Sequence, residues 1–142
     1  MQLADRTFDS ATFIAGAQKA FEMVVGAFAA GSRDQLRALL SHDVFENFST
    51  AIAEREKSGE TLETTLVRIT TADILDGEVR GETAFVTVKF VSEQINVVRD
   101  KTGTIIEGDP GHSGEVTDIW TFGRDTKSRD PNWTLVETRS PA

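Results

Sequence analysis

The chain has 142 residues, 39% of them apolar, and 23 acidic against 15 basic side chains for a formal charge of −8. That length holds one domain with a real core and is too short for two of ordinary size. Without cysteine there is no disulfide framework, thiolate metal site or cysteine nucleophile, and the acidic balance argues against nucleic acid, whose binding draws on clustered Lys and Arg.

From Phe13 the apolar positions Ile14, Ala17, Ala20, Phe21, Val24, Val25 and Phe28 recur every three to four residues, which predicts a long amphipathic helix. Asp9 or Ser10 supplies its N-cap, and Gly31 stands where a left-handed residue ends a helix. Ser32 with Gln35 reads as a capping box for a short second helix carrying Leu36, Leu39 and Leu40. A third helix has Val44, Phe45, Phe48 and Ile52 on one face and ends near Lys57 and Gly59. No stretch approaches the ~20 apolar residues of a membrane span, and MQLADRTF has no signal-peptide core, so the chain is expected to be soluble.

Beyond Gly59, TLETTLVRITTADIL, TAFVTVKFVSEQINVV and two later runs at 115–123 and 132–139 are rich in β-branched and aromatic residues. The connections DGEVRGE and RDKTG are too short for crossover helices, so the strands form an antiparallel meander. Ala84, Val86, Val88 and Phe90 share one face, but past Ser92 the apolar positions become Ile95 and Val97. A slip of one residue calls for a bulge, and bulges bend sheets. The expected fold is α+β: N-terminal helices packed on a strongly curved antiparallel sheet of about four strands, with the aromatic stripe as core or as the lining of a hollow.

Chemistry-bearing patterns are sparse. His42 and His112 sit in unrelated segments without HxxxH or HxH spacing, no serine lies in a GxSxG elbow, and the glycines of 108–114 lack the lysine and helix of a phosphate loop. No metal, cofactor or catalytic residue is expected. Asp118 shares strand parity with Val116, Trp120 and Phe122 and points to the apolar side of a regular strand, where a raised pKa would suit a general base; Asp73 shares the ambiguity. Between Trp120 and Trp133 the run FGRDTKSRDPN reads as a charged hairpin tip, with Asp130 to Trp133 matching a type I turn and the tryptophans paired across the hairpin as anchors.

FIAGAQKAFEMVVGAFAAGSRDQLRALLSHDVFENF, TLETTLVRI, VKFVSEQINVVRD and above all VTDIWTFGRDTKSRDPNWTLVETR resemble the bacterial branch of the Tim44-like domain family. That family is named for the peripheral tether subunit of the mitochondrial inner-membrane presequence translocase, whose C-terminal domain this chain resembles from about Phe8 to Arg139. The resemblance implies residues 1–9 as an N-terminal linker and 10–140 as the domain, a cystatin-like cone related to the nuclear-transport-factor-two-like fold, and an apolar pocket between helices and sheet. Phe13, Ala17, Phe21, Val24, Phe28, Phe90 and Trp120 are the residues expected to line that pocket for lipid or another ligand. It also implies peripheral attachment to the inner membrane, on the cytoplasmic face in bacteria, and a membrane lipid or membrane-protein partner. Relatives carry an anchor and linker before the domain; here Met1 either opens a shortened form or the chain departs from them, and chaperone tethering, which uses those earlier segments, is unsupported.

Three functions compete. The first is a non-enzymatic interaction module binding lipid or a protein segment through the apolar pocket, in translocation, membrane-protein biogenesis or tethering. The second is a cone-fold enzyme or small-ligand carrier using Asp118 or Asp73. The third is a homodimer built through an exposed sheet face. A carboxylate facing an enclosed cavity would favour the second, an open apolar groove the first.

Overall fold

The computed structural model describes residues 9–130 and 132–140. Helix α1 (Ser10–Ala30) starts where the Asp9 carboxylate accepts the Ala11 N–H at 3.0 Å and the Thr12 hydroxyl at 3.1 Å. It ends at Gly31, whose φ of 71° turns its own N–H and that of Ser32 back to the carbonyls of Phe28 and Ala27. Helix α2 (Arg33–Leu39) follows at once. The expected capping box is not made: Ser32 makes no side-chain cap bond, and its backbone is held in the closing turn of α1. Helix α3 (His42–Lys57) is capped by the Ser41 hydroxyl, which accepts the Val44 N–H. Near its end Arg55 reaches back to donate to the carbonyls of Phe28 (2.8 Å) and Ala29 (3.2 Å), satisfying orphan acceptors at the negative end of α1.

By length and composition α1 is long and apolar enough to cross a membrane, against the expectation that no stretch comes close. Its stripe of Phe13, Ala17, Phe21, Val24 and Ala27 is nonetheless buried in the domain core.

The rest of the chain is one antiparallel sheet: β1 (Thr61–Arg80), β2 (Thr83–Arg99), β3 (Ile105–Glu107), β4 (Gly114–Asp125) and β5 (Thr134–Arg139). The order is β1-β2-β4-β5 with β3 paired to β2, five strands where about four were expected. Three residues are too few to display a period, which hid β3. No pairing joins β1 to β5, so the sheet stays open. The β5 edge is met by the chain between α2 and α3, where Leu40 bridges Leu135 and the Ser41 N–H donates to the Leu135 carbonyl at 2.9 Å.

The parity slip expected past Ser92 is present, since burial passes from Gln94 to Val97, and the extra residues that bend the sheet lie on the partner strand β1. The stretch DGEVR belongs to β1, leaving only Gly81 and Glu82 as the turn, and β2 alternates regularly from Ala84 to Gln94. The 20 residues of β1 run against the 17 of β2 with register shifts at Leu66/Arg68, Ile69/Thr71 and Ile74/Asp76, leaving Val67, Thr70 and Leu75 without partners. Each extra residue resets the parity, so that Leu66, Ile69, Ala72 and Ile74 all pack on the core. A strand so bent wraps the sheet around α1. The loop after β3 is equally constrained: a Cβ on Gly108 would overlap the Asn96 carbonyl, so only glycine lets the chain lie against β2 there.

Candidate functional site

Along α1 the aromatic stripe meets two different environments. At its middle, Phe21 stacks on Phe90 with centroids 4.5 Å apart and tilts against Trp120 at 4.7 Å. Phe21 and Phe90 are wholly buried, as is Val24 at 1%, so this part of the expected pocket is filled by its own side chains. Phe28 is half-buried at the end of the helix, edge-on to Phe48 and beneath the Arg55 guanidinium at 5.1 Å.

The first half of α1 instead borders an open groove of about 870 Å³, walled by α2 and by the chain entering β5. Phe13, Ala17, Ala20 and Met23 from α1, Leu39 from α2, Phe122 from β4 and Trp133 supply its apolar lining, with Asp9, Lys19 and Asp130 at polar positions. Phe13 meets Trp133 edge-on at 5.0 Å and Phe122 at 5.9 Å. Met23 is 48% exposed at the groove. Of the seven residues expected to line a pocket, Phe13 and Ala17 do so; Phe21, Val24, Phe90 and Trp120 lie in the packed centre. Met23, Leu39 and Trp133 were missed. Met23 follows Gly16 and Ala20 at helical spacing beside the stripe, a signal of a second shallow apolar face.

The tryptophans do not pair across the hairpin. Trp120 is opposite Thr138 in the β4–β5 register and faces Phe21, whereas Trp133 precedes β5 and packs on Phe13. The tip is held by polar contacts instead. Arg124 donates to the Asp130 carbonyl at 3.2 Å and the Ser128 carbonyl at 3.4 Å, Lys127 pairs with Glu82 at 2.7 Å, and the Asp130 carboxylate accepts the Asn132 N–H at 2.9 Å. The expected type I turn includes Pro131, which lies outside the described residues.

Asp118 is half-buried on the inner side of β4, in register with Phe90, and burial pushes its carboxyl pKa up with no compensating contact. Beside it in β2 a polar row runs from the interior to the rim: Gln94 donates to the Ser92 hydroxyl at 2.9 Å, Asn96 donates to the Gln94 carbonyl at 3.0 Å, and Thr64 donates to Asn96 at 2.6 Å. Ser92 is wholly buried. Asp73 is exposed, as are His42 and His112, the latter held to Asp109 at 2.7 Å. Among the described residues no three His, Asp or Glu side chains gather as metal ligands.

A family model described as the Tim44-like domain matches residues 1–140. Among curated proteins the chain is similar to "Probable mitochondrial import inner membrane translocase subunit tin-44" of Caenorhabditis elegans, 23% identical over 137 residues. The match covers 94% of this chain and 32% of that protein, so the chain spans about a third of the relative's length. A solved structure, the intermembrane space region of the chloroplast protein ARC6, superposes with a TM-score of 0.61 at 17% identity, covering 95% of this chain and 98% of that one. At that identity the likeness is one of fold.

Proposed function

Because the chain belongs to the Tim44-like domain family, we propose that it is a non-enzymatic, membrane-associated interaction module serving protein translocation or membrane-protein biogenesis. The open groove beside the first half of α1 carries this reading: it is lined by Phe13, Met23, Leu39 and Trp133, and nothing in the described chain covers it. An open groove with an apolar lining along a helix can take an apolar segment of another chain. The guest in this reading is a segment of a membrane protein rather than lipid, since a chain of −8 formal charge is repelled by anionic headgroups. The proposed setting is the cytoplasmic face of the bacterial inner membrane. Kinship with the nuclear-transport-factor-two-like cone is part of the same proposal, supported by the bent sheet wrapped about α1.

The test is photocrosslinking from position 16, a groove-lining glycine whose Cβ would meet open space, in the full-length protein in native membranes. Met23→Glu is expected to keep the parent's melt while losing the crosslinked membrane protein. A crosslink dominated by phospholipid would replace the guest, and unchanged capture by Met23→Glu would remove the groove from the reading. Asp118 favours a second reading, a cone-fold enzyme or small-ligand carrier, because a half-buried carboxyl of raised pKa suits proton transfer. The stacked Phe21, Phe90 and Trp120 leave it little adjoining space. Loss of cellular function in a folded Asp118→Asn protein whose groove still captures its guest would promote this alternative.

A further inference from the structure

β5 covers only part of β4. Its register runs from Gly123↔Thr134 to Ile119↔Arg139, and there the pairing stops, although β4 continues back to Gly114. Residues 114–118 are thus paired to β2 on one side and, among the described residues, to no strand on the other. Alternate backbone N–H and C=O groups of such a stretch face outward unpaired, the template on which a further strand forms.

The chemistry of this edge is one-sided. Glu115 and Asp118 lie in it and residues 113–118 contain no basic side chain. The nearest basic residues in register, Lys89 and Arg139, share the row of Ile119 and so face the other side of the sheet from Asp118. Asp118 itself is half-buried and has neither a hydrogen bond nor an ion pair among the described residues. A carboxylate withdrawn from water without a partner is costly, and a cation brought beside it recovers that cost. The Glu93 carboxylate, in register with Glu115, is by contrast already paired with Arg68 at 2.9 Å.

We infer that the open edge of β4 at 114–118 is a strand-addition site for an extended, basic peptide segment of a partner protein, antiparallel to β4, with a Lys or Arg opposite Val116 that reaches Asp118 diagonally on the inner face. Main-chain bonds supply affinity, and the cross-strand charge pair on the inner face selects the sequence. This surface is separate from the groove along α1, so neither proposal depends on the other.

The test uses the whole chain, labelled with nitrogen-15, and the capped peptide Thr-Lys-Val-Lys-Val-Thr. Saturable shifts are expected at the amides of residues 114–118, with slowed hydrogen exchange there. Affinity should fall about two- to fivefold in Asp118→Asn, the range of a partly exposed ion pair, and fall further with salt. Glutamate in place of the peptide lysines should weaken binding at least as much, and N-methylation of alternate peptide nitrogens should abolish it. The N-methyl and salt arms use the parent protein, so they decide the matter even if the Asn variant fails to fold. Equal binding by the N-methylated peptide, shifts elsewhere than 114–118, or protection before any peptide is added of those amides in this stretch that point away from β2 would each overturn the site.

Discussion

The middle of α1 and its first half carry the same kinds of residue and end in opposite states. Phe21 is sealed between Phe90 and Trp120, while Phe13, two stripe positions earlier, shares its face with Trp133 at the border of an open groove. The stripe is common to both; what differs is the element opposite. Phe21 meets β2 and β4 where they are paired to each other and bent by the bulged β1, whereas Phe13 meets the hairpin end, where β4 and β5 diverge around an irregular loop. An apolar stripe on a helix therefore says that a face will be covered, and the far side of the fold decides how completely.

The largest expected effect lies at the sealed end. Trp120→Ala should cost about 3–5 kcal/mol in a denaturant melt, the range for deleting a buried aromatic, and a large fraction of a domain's total stability. A loss below about 1 kcal/mol would mean that the two ends of the stripe do not differ as described.

Trp133→Ala should cost about 1–2 kcal/mol, less than half the loss for full burial, since Trp133 is only half-buried. The comparison sharpens if its effect on guest capture exceeds its effect on the melt. Parity of Trp133→Ala with Trp120→Ala would show the groove end to be as tightly packed as the centre.

Asp118→Asn should change stability less than either, and with a defined pH dependence. Burial raises the folded pKa above the ordinary aspartate value, so above the folded pKa the native state holds a poorly solvated charge that Asn lacks. The variant is then the more stable protein near neutrality. Its advantage shrinks as pH falls through the raised folded pKa and disappears once the carboxyl is protonated in both states. Parallel stability curves between pH 7 and 4 would contradict the burial of this side chain.

Smallest of all are the charges at the hairpin tip. Arg129→Ala and Lys127→Ala should stay within about 0.5 kcal/mol, although Lys127 pairs with Glu82, because both are exposed and surface pairs contribute little. A larger loss on the same melts would make the tip part of the structure rather than its margin.

Local chemistry made much of the fold legible in the sequence. Asp9 and Gly31 mark helix ends because a cap acts within one turn of itself. Ala84, Val86, Val88 and Phe90 mark a strand because its period is two, and the motif from Val116 to Arg139 carried the family. Tertiary structure alone decided the rest. Ser32 carried a cap signal but was recruited to close α1. Leu66, Ile69, Ala72 and Ile74, spaced three, three and two apart, fit neither a regular strand nor a helix until the register with β2 shows three bulges between them. Which aromatics fill the centre and which border the groove, and why Asp118 stands half-buried beside an open edge, follow from pairings between residues tens of positions apart. Caps and periods are set by neighbours a few residues away, whereas burial and register are set by partners that only the folded chain brings together.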